Sequence, residues 1–131
     1  MFQLLKLSGY SDKAIECYVN KVNVGEIKTP DVVYTYTGSC GDMIKLYLKI
    51  ESGIIKDAKF QATGCAGPLV SGSALTQIIK NKTLEQAKKV NEKNILDFLG
   101  EIPDSKHHCV SLAIKTLEET INLFEKKNLS K

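Results

Sequence analysis

Tryptophan and arginine are absent from this chain, proline occurs three times in 131 residues, and no two of the four cysteines form a C-x-x-C pair. All 18 basic residues are lysines, interspersed with 15 acidic ones, and the formal net charge is only +3. Nucleic-acid readers rely on a one-signed basic face and on the bidentate fork of arginine, so no nucleic-acid partner is expected. No apolar run approaches the ~20 residues that cross a bilayer. The opening Met1-Phe2-Gln3-Leu4-Leu5 lacks the basic start of a secretory leader. The expectation is a cytoplasmic protein with no membrane association. Without a C-x-x-C pair, spacing alone indicates neither a zinc finger nor a thioredoxin-like site. With 43% hydrophobic residues the chain can bury one core without disulfide staples. Four cysteines in such a protein point to metal or catalytic chemistry more than to crosslinks.

Residues 1–10 read as a frayed or loosely docked start. Ser11 and Asp12 can cap a helix over 13–20, with Ala14, Ile15 and Tyr18 at helical spacing. Asn23-Val24-Gly25 and Thr29-Pro30 are breaks. Strands follow at 32–37, 44–50 and 54–63. In the second, Ile44, Leu46, Leu48 and Ile50 alternate with Lys45, Tyr47 and Lys49, the period of a half-buried strand. Glu51-Ser52-Gly53 is a hairpin turn. Helices are expected over 68–80, from the Thr83-Leu84-Glu85-Gln86 capping box, over 91–99 with Gly100 ending it, and from Asp104 or Ser105 to 127. Val110, Ala113, Ile114, Leu117, Ile121 and Phe124 form the apolar stripe of the last helix. The fold class is α+β: one domain, 1–131, with a three-stranded antiparallel meander packed against about five helices.

Chemistry gathers at element boundaries. Cys65 stands between the third strand and a helix, in Gly64-Cys65-Ala66-Gly67-Pro68. A helix N-terminus favours thiolate over thiol. Cys40 and Asp42 lie in the loop before the second strand, which an antiparallel meander places at the same end as Cys65. His108 and Cys109 begin the last helix. If that helix start docks on the loops, three cysteines meet a histidine or an aspartate, a donor set suited to zinc or iron–sulfur binding. Asp42 could instead serve its own turn. His107 reads as a surface histidine and Cys17, mid-helix, as a small buried hydrophobe. A hydrolase built on Cys109, a histidine and Asp42 is disfavoured, because adjacent residues rarely give nucleophile–base geometry.

Gly38-Ser39-Cys40-Gly41-Asp42-Met43, Asp57-Ala58-Lys59-Phe60-Gln61-Ala62-Thr63-Gly64-Cys65 and Lys106-His107-His108-Cys109 resemble the CGD, DAxFxxxGC and KxHC motifs of the IscU/NifU-type iron–sulfur cluster assembly scaffolds, whose fold is SufE/NifU-like. Tyr10-Ser11-Asp12, Asn23-Val24-Gly25 and Lys82-Thr83-Leu84-Glu85-Gln86-Ala87 extend the resemblance over about residues 10–125. It implies that Cys40, Cys65 and Cys109 are cluster ligands, with Asp42 and His108 as accessory ligands. It also implies a non-enzymatic scaffold that takes sulfur from a cysteine desulfurase, builds a [2Fe–2S] cluster with iron and passes it to recipient apoproteins. Zinc can occupy the same site. Cys109 is the expected persulfide acceptor, held as thiolate by its helix N-terminus with Lys106 nearby. The alternative is a zinc-bound, sulfurtransferase-like acceptor of the SufU type. That branch carries an insertion between the second and third cysteines and lacks the histidine. Here 44 positions separate Cys65 from Cys109 and His108 is present, which favours the IscU/NifU branch. The family's LPPVK motif reads Ile102-Pro103-Asp104-Ser105-Lys106, which argues against handoff through an Hsp70-type chaperone. Lys21 stands where the family has proline, and Gly67-Pro68 where it has other small residues.

Overall fold

The alternation read in the second strand builds the sheet. In the structure, a computed structural model that describes residues 2–39 and 41–129, β1 is Val32–Thr37, β2 is Met43–Glu51 and β3 is Ile54–Thr63. They pair antiparallel in the order β1-β2-β3. The register sets Leu46 against Tyr34 and Phe60, and Leu48 against Val32 and Ala58. Ile44, Leu46, Leu48, Ala58 and Phe60 thereby share one fully buried face, because a strand's side chains alternate across the sheet. On the other face Tyr47 is covered by its neighbours: its hydroxyl donates to Gln61 Oε1 at 2.8 Å and the Lys45 ammonium lies 5.3 Å from its ring centre. Ser52 and Gly53 both take positive φ, 55° and 76°, as a tight hairpin turn demands.

Six α-helices occur among the described residues, where about five were expected: α1 Phe2–Leu7, α2 Asp12–Asn20, α3 Ala66–Ile79, α4 Leu84–Lys88, α5 Glu92–Leu99 and α6 His107–Leu129, the last preceded by a 3₁₀ turn, Asp104–Lys106. The additional one is α1, where a loose start was expected. Leu5 is 9% exposed and joins the core, as does Tyr10, while Leu4 and Leu7 face solvent. Three N-termini are held by side-chain oxygens. Ser11 accepts from Ala14 N at 3.0 Å, Thr83 and Gln86 form the expected capping box, and Asn91 and Asn94 form a second one.

Helix α3 packs on β3 and also against α6, α2 and α5, so it is buried on nearly every side, from Gly67 and Pro68 to Ile79. It begins at Ala66, two residues before the expected start. Pro68 therefore sits third in the helix, still inside the first turn, where its missing N–H breaks no hydrogen bond. Helix α6 lies across β1, β2 and α3 and buries Val110, Ala113, Leu117 and Ile121 of its stripe. Its Thr116 and Thr120 hydroxyls are buried and donate back to Leu112 O and Thr116 O at 2.8 and 2.6 Å.

Candidate metal centre

Pairing Thr37 with Met43, and Met43 with Thr63, brings the 38–42 loop and the Gly64-Cys65 turn to one end of the sheet. Gly38 N donates to Asp42 O at 2.7 Å and closes that loop. Gly64 has φ +121°, and the Asp42 carboxylate lies directly against it, so that any β-carbon there would overlap Asp42 Oδ1. Cys65 is the N-cap of α3 and offers no side-chain cap bond. Across this end comes the first turn of α6. Its approach depends on Gly67, where a β-carbon would lie 2.5 Å from Cys109 Sγ.

Three ligand atoms converge there. His108 Nε2 stands 3.5 Å from Asp42 Oδ2. Cys109 Sγ stands 3.5 Å from His108 Nε2 and 3.8 Å from Asp42 Oδ2. A tetrahedral ion with nitrogen and oxygen ligands at ~2.0–2.1 Å and sulfur at ~2.3 Å has ligand–ligand edges of about 3.3–3.6 Å. The three groups thus fit one face of such a polyhedron with little movement. Among the described residues they are the one such group. Cys109 is fully buried, the Asp42 side chain is 14% exposed and the imidazole of His108 48% exposed. Beside His108 opens a groove of about 230 Å³ that Tyr36, Leu112 and Lys115 also line.

Cys65 belongs to the same neighbourhood but stands at its exposed rim. It helps to raise the pKa of Cys109 and, foremost among its neighbours, that of the Lys106 ammonium. Cys40 lies outside the described residues. The expected thiolate at Cys109 is corrected. Burial, then the nearby Cys65 and Asp42, push its thiol from 9.0 up to about 12, and the opposing pull of Lys106 is weaker. Desolvation outweighs the helix end. The same neighbourhood reaches Tyr10. Burial first, then Cys65, Cys109 and Tyr18, push its phenol from 10.0 up to about 12.

The remaining candidates fall as expected. His107 turns to Asp104, with Nε2 3.8 Å from Oδ1, and is 46% exposed. Cys17 is 2% exposed in the core, where Gln77 Nε2 lies 3.5 Å from its sulfur. Sequence reasoning did not place Tyr10, Gly64 or Gly67 in the site. For the glycines the only signal was their position on either side of Cys65.

Residues 9–131 match the model of the NifU-like N terminal domain. The chain belongs to that family. It is 38% identical over 120 residues to "Iron-sulfur cluster assembly scaffold protein IscU 1" of Archaeoglobus fulgidus, covering 91% of this chain and 78% of that one. It is 37% identical over 123 residues to the IscU scaffold protein of Azotobacter vinelandii, covering 90% and 95%. With "Nitrogen fixation protein NifU" of Nostoc it shares 39% over 121 residues but spans only 40% of that longer protein. Among solved structures, a putative iron–sulfur cluster assembly scaffold protein for the SUF system from Fervidobacterium islandicum superposes with a TM-score of 0.70 at 26% identity, over 86% of this chain and 96% of that one. A NifU-like N-terminal structure from Brucella abortus gives 0.69 at 20% identity, over 89% and 94%, a likeness of fold. The architecture is that of the IscU/NifU-type scaffolds, and the converging Asp42, His108 and Cys109 lie in two of the three motifs that first suggested them.

Proposed function

We propose that this IscU/NifU-type scaffold assembles a [2Fe–2S] cluster on Cys40, Cys65 and Cys109 with Asp42 and His108, and releases it to recipient apoproteins. The observation that carries this reading is the convergence of Asp42, His108 and Cys109 ligand atoms within 4.8 Å of one another, with Cys65 alongside. Iron and sulfide are the cargo. Thiolates hold iron firmly, whereas a carboxylate oxygen is a harder and more replaceable ligand. A mixed set therefore captures a cluster without retaining it.

Sulfur arrives as the persulfide of a cysteine desulfurase. Cys109 is the proposed acceptor. His108 Nε2, 3.5 Å from its sulfur, can take the thiol proton. The resulting thiolate attacks the outer sulfur, the desulfurase sulfur–sulfur bond breaks, and the desulfurase cysteine leaves as thiolate while Cys109 becomes the persulfide. Handoff does not use a dedicated Hsp70-type chaperone in this reading. The chain offers Asp104 and Ser105, in a 3₁₀ turn, where the family motif has a second proline and a valine.

Anaerobic incubation with a cysteine desulfurase, cysteine and ferrous iron tests the proposal. The expected result is visible cluster absorbance that Cys65→Ala abolishes. No absorbance, or no effect of that variant, overturns it. Trapping the persulfide and mapping it by mass spectrometry tests the acceptor, and modification at Cys65 in place of Cys109 overturns that assignment. The zinc-bound, SufU-type reading has support in the likeness to the Fervidobacterium protein and in a donor set that suits zinc equally. One equivalent of zinc retained during persulfide transfer, with no cluster formed, would establish it instead.

A further inference from the structure

Ser11 uses one hydroxyl twice. Its oxygen accepts from Ala14 N at 3.0 Å and caps α2, while its hydrogen is donated to Leu99 O, 88 positions away in the chain. The Ser11 backbone N–H donates to Glu101 O at 2.7 Å. Between these two carbonyls lies Gly100, at φ +85°, and a β-carbon there would stand 3.5 Å from Ser11 Cβ and Oγ. The ring of Pro103 follows, with Cγ 3.6 Å from where a β-carbon of Gly9 would lie. The turn between α1 and α2 is therefore seated on residues 99–103, the connector from α5 to the 3₁₀ turn.

That connector leads into the metal centre. Lys106 N donates to Pro103 O at 2.8 Å, His107 N to Asp104 O, and His108 and Cys109 follow at once in α6. Among the described residues, Ser11 is the one hydrogen-bond partner that the backbone of 99–103 has outside the run from α5 to α6. Metal ligands tolerate displacements of only about 0.2 Å, and the half-exposed His108 has little packing of its own to hold it. We propose that Ser11 is a positioning residue for the metal centre: its hydroxyl and N–H hold the connector that leads to His108 and Cys109, and so set how these two ligands approach Asp42. The inference rests on the reading of His108, Cys109 and Asp42 as metal ligands. Its consequence is that one residue joins the start of α2 to the geometry of a site it does not touch.

Zinc affinity by competition with a chromophoric chelator, set beside thermal unfolding of the metal-free protein, separates this role from helix capping. Ser11→Asp keeps the cap, since aspartate and serine cap equally well, but an ionised carboxylate can only accept and repels Leu99 O. It should unfold within a few degrees of the wild type yet bind zinc about tenfold more weakly, the lower end of what losing a ligand's supporting contacts costs. Ser11→Ala loses cap and donor and should fall in both measurements. Ser11→Thr keeps both and should restore both. The visible bands of bound cobalt(II), which report how its ligands are arranged, should change in Ser11→Asp and return in Ser11→Thr. Thr83→Ala removes the cap of α4 and should leave zinc affinity unchanged. Wild-type affinity in Ser11→Asp, an unchanged cobalt spectrum, or an equal loss of affinity in Thr83→Ala each overturns the positioning role while leaving the ligand reading intact. A wild-type protein that binds no zinc overturns both.

Discussion

The two ends of the sheet are built on different principles. At the hairpin end the backbone satisfies itself. Ile55 N donates to Lys82 O at 2.9 Å, Asn81 N to Ile55 O at 2.7 Å and Leu84 N to Gly53 O at 2.9 Å, so the β2–β3 turn is tied into the α3–α4 connection. At the other end the 38–42 loop and Gly64-Cys65 meet the start of α6 mainly through side chains: a carboxylate, an imidazole and a thiol. Backbone bonds made once at folding do not depend on solution conditions in the way that titratable, metal-binding side chains do. The first end therefore contributes constant stability. The second contributes stability that varies with pH and with cargo, because a ligand that binds only the native state stabilises it by mass action.

Removing Cys109 should break this contrast most visibly. Cys109→Ser changes little volume, so its thermal midpoint should stay within a few degrees of the wild type, whereas cluster absorbance in anaerobic reconstitution should disappear. A variant that assembles cluster normally would place the functional centre elsewhere. Gly64→Ala comes next. Strain at such a backbone conformation is of order 1–3 kcal/mol, and the added methyl also displaces Asp42. Chelator competition should show zinc affinity reduced about tenfold, ~1.4 kcal/mol, and unchanged affinity would mean that the Gly64–Asp42 contact does not position the carboxylate. Asp42→Ala should act in the opposite sense on release, slowing cluster loss several-fold by removing the replaceable oxygen ligand. Loss as fast as in the wild type, followed by the decay of visible absorbance, would remove that role. Thr83→Ala, at the hairpin end, should cost about 1 kcal/mol of unfolding free energy through its lost cap. Cluster yield should not change, and a drop in yield would mean that the two ends are coupled.

How much of this was legible in the residues depended on whether a signal was local. The β2 alternation and the Thr83–Gln86 capping box are patterns within a few positions, and both appear where they were read. Asp42 and Cys65 could be brought together because an antiparallel meander dictates which loops share an end, whereas His108 and Cys109 joined them only on the condition that the last helix docks there. What escaped was set by tertiary burial. Pro68 read as the first residue of its helix, yet α3 begins two residues earlier at Ala66, because burial under α6 rewards helix there. The six residues of α1 are too few for a convincing periodicity, and one buried leucine anchors them. The protonation of Cys109 was misjudged for the same reason. Its place at a helix start is a sequence property, but its complete burial against Gly67 and Asp42 is not.

That burial yields the most specific effect. The unfolded Cys109 thiol titrates near its ordinary 9.0, while the native one holds its proton up to about 12. The contribution of this thiol to stability is therefore fully present below pH 9 and is lost as pH rises toward 12, where the unfolded chain has released a proton that the native state retains. Tyr10 adds a change of the same sign, from 10.0 to about 12, so the wild-type slope alone does not isolate the cysteine. The difference between wild type and Cys109→Ser does. Urea unfolding with chelator present, followed from neutral pH to above pH 10, should show the wild type losing stability more steeply than the variant, while Thr83→Ala runs parallel to the wild type throughout. Equal slopes for wild type and Cys109→Ser would show that the buried thiol ionises as freely as an exposed one, and the contrast between a constant end and a titratable end would fail at its most buried group.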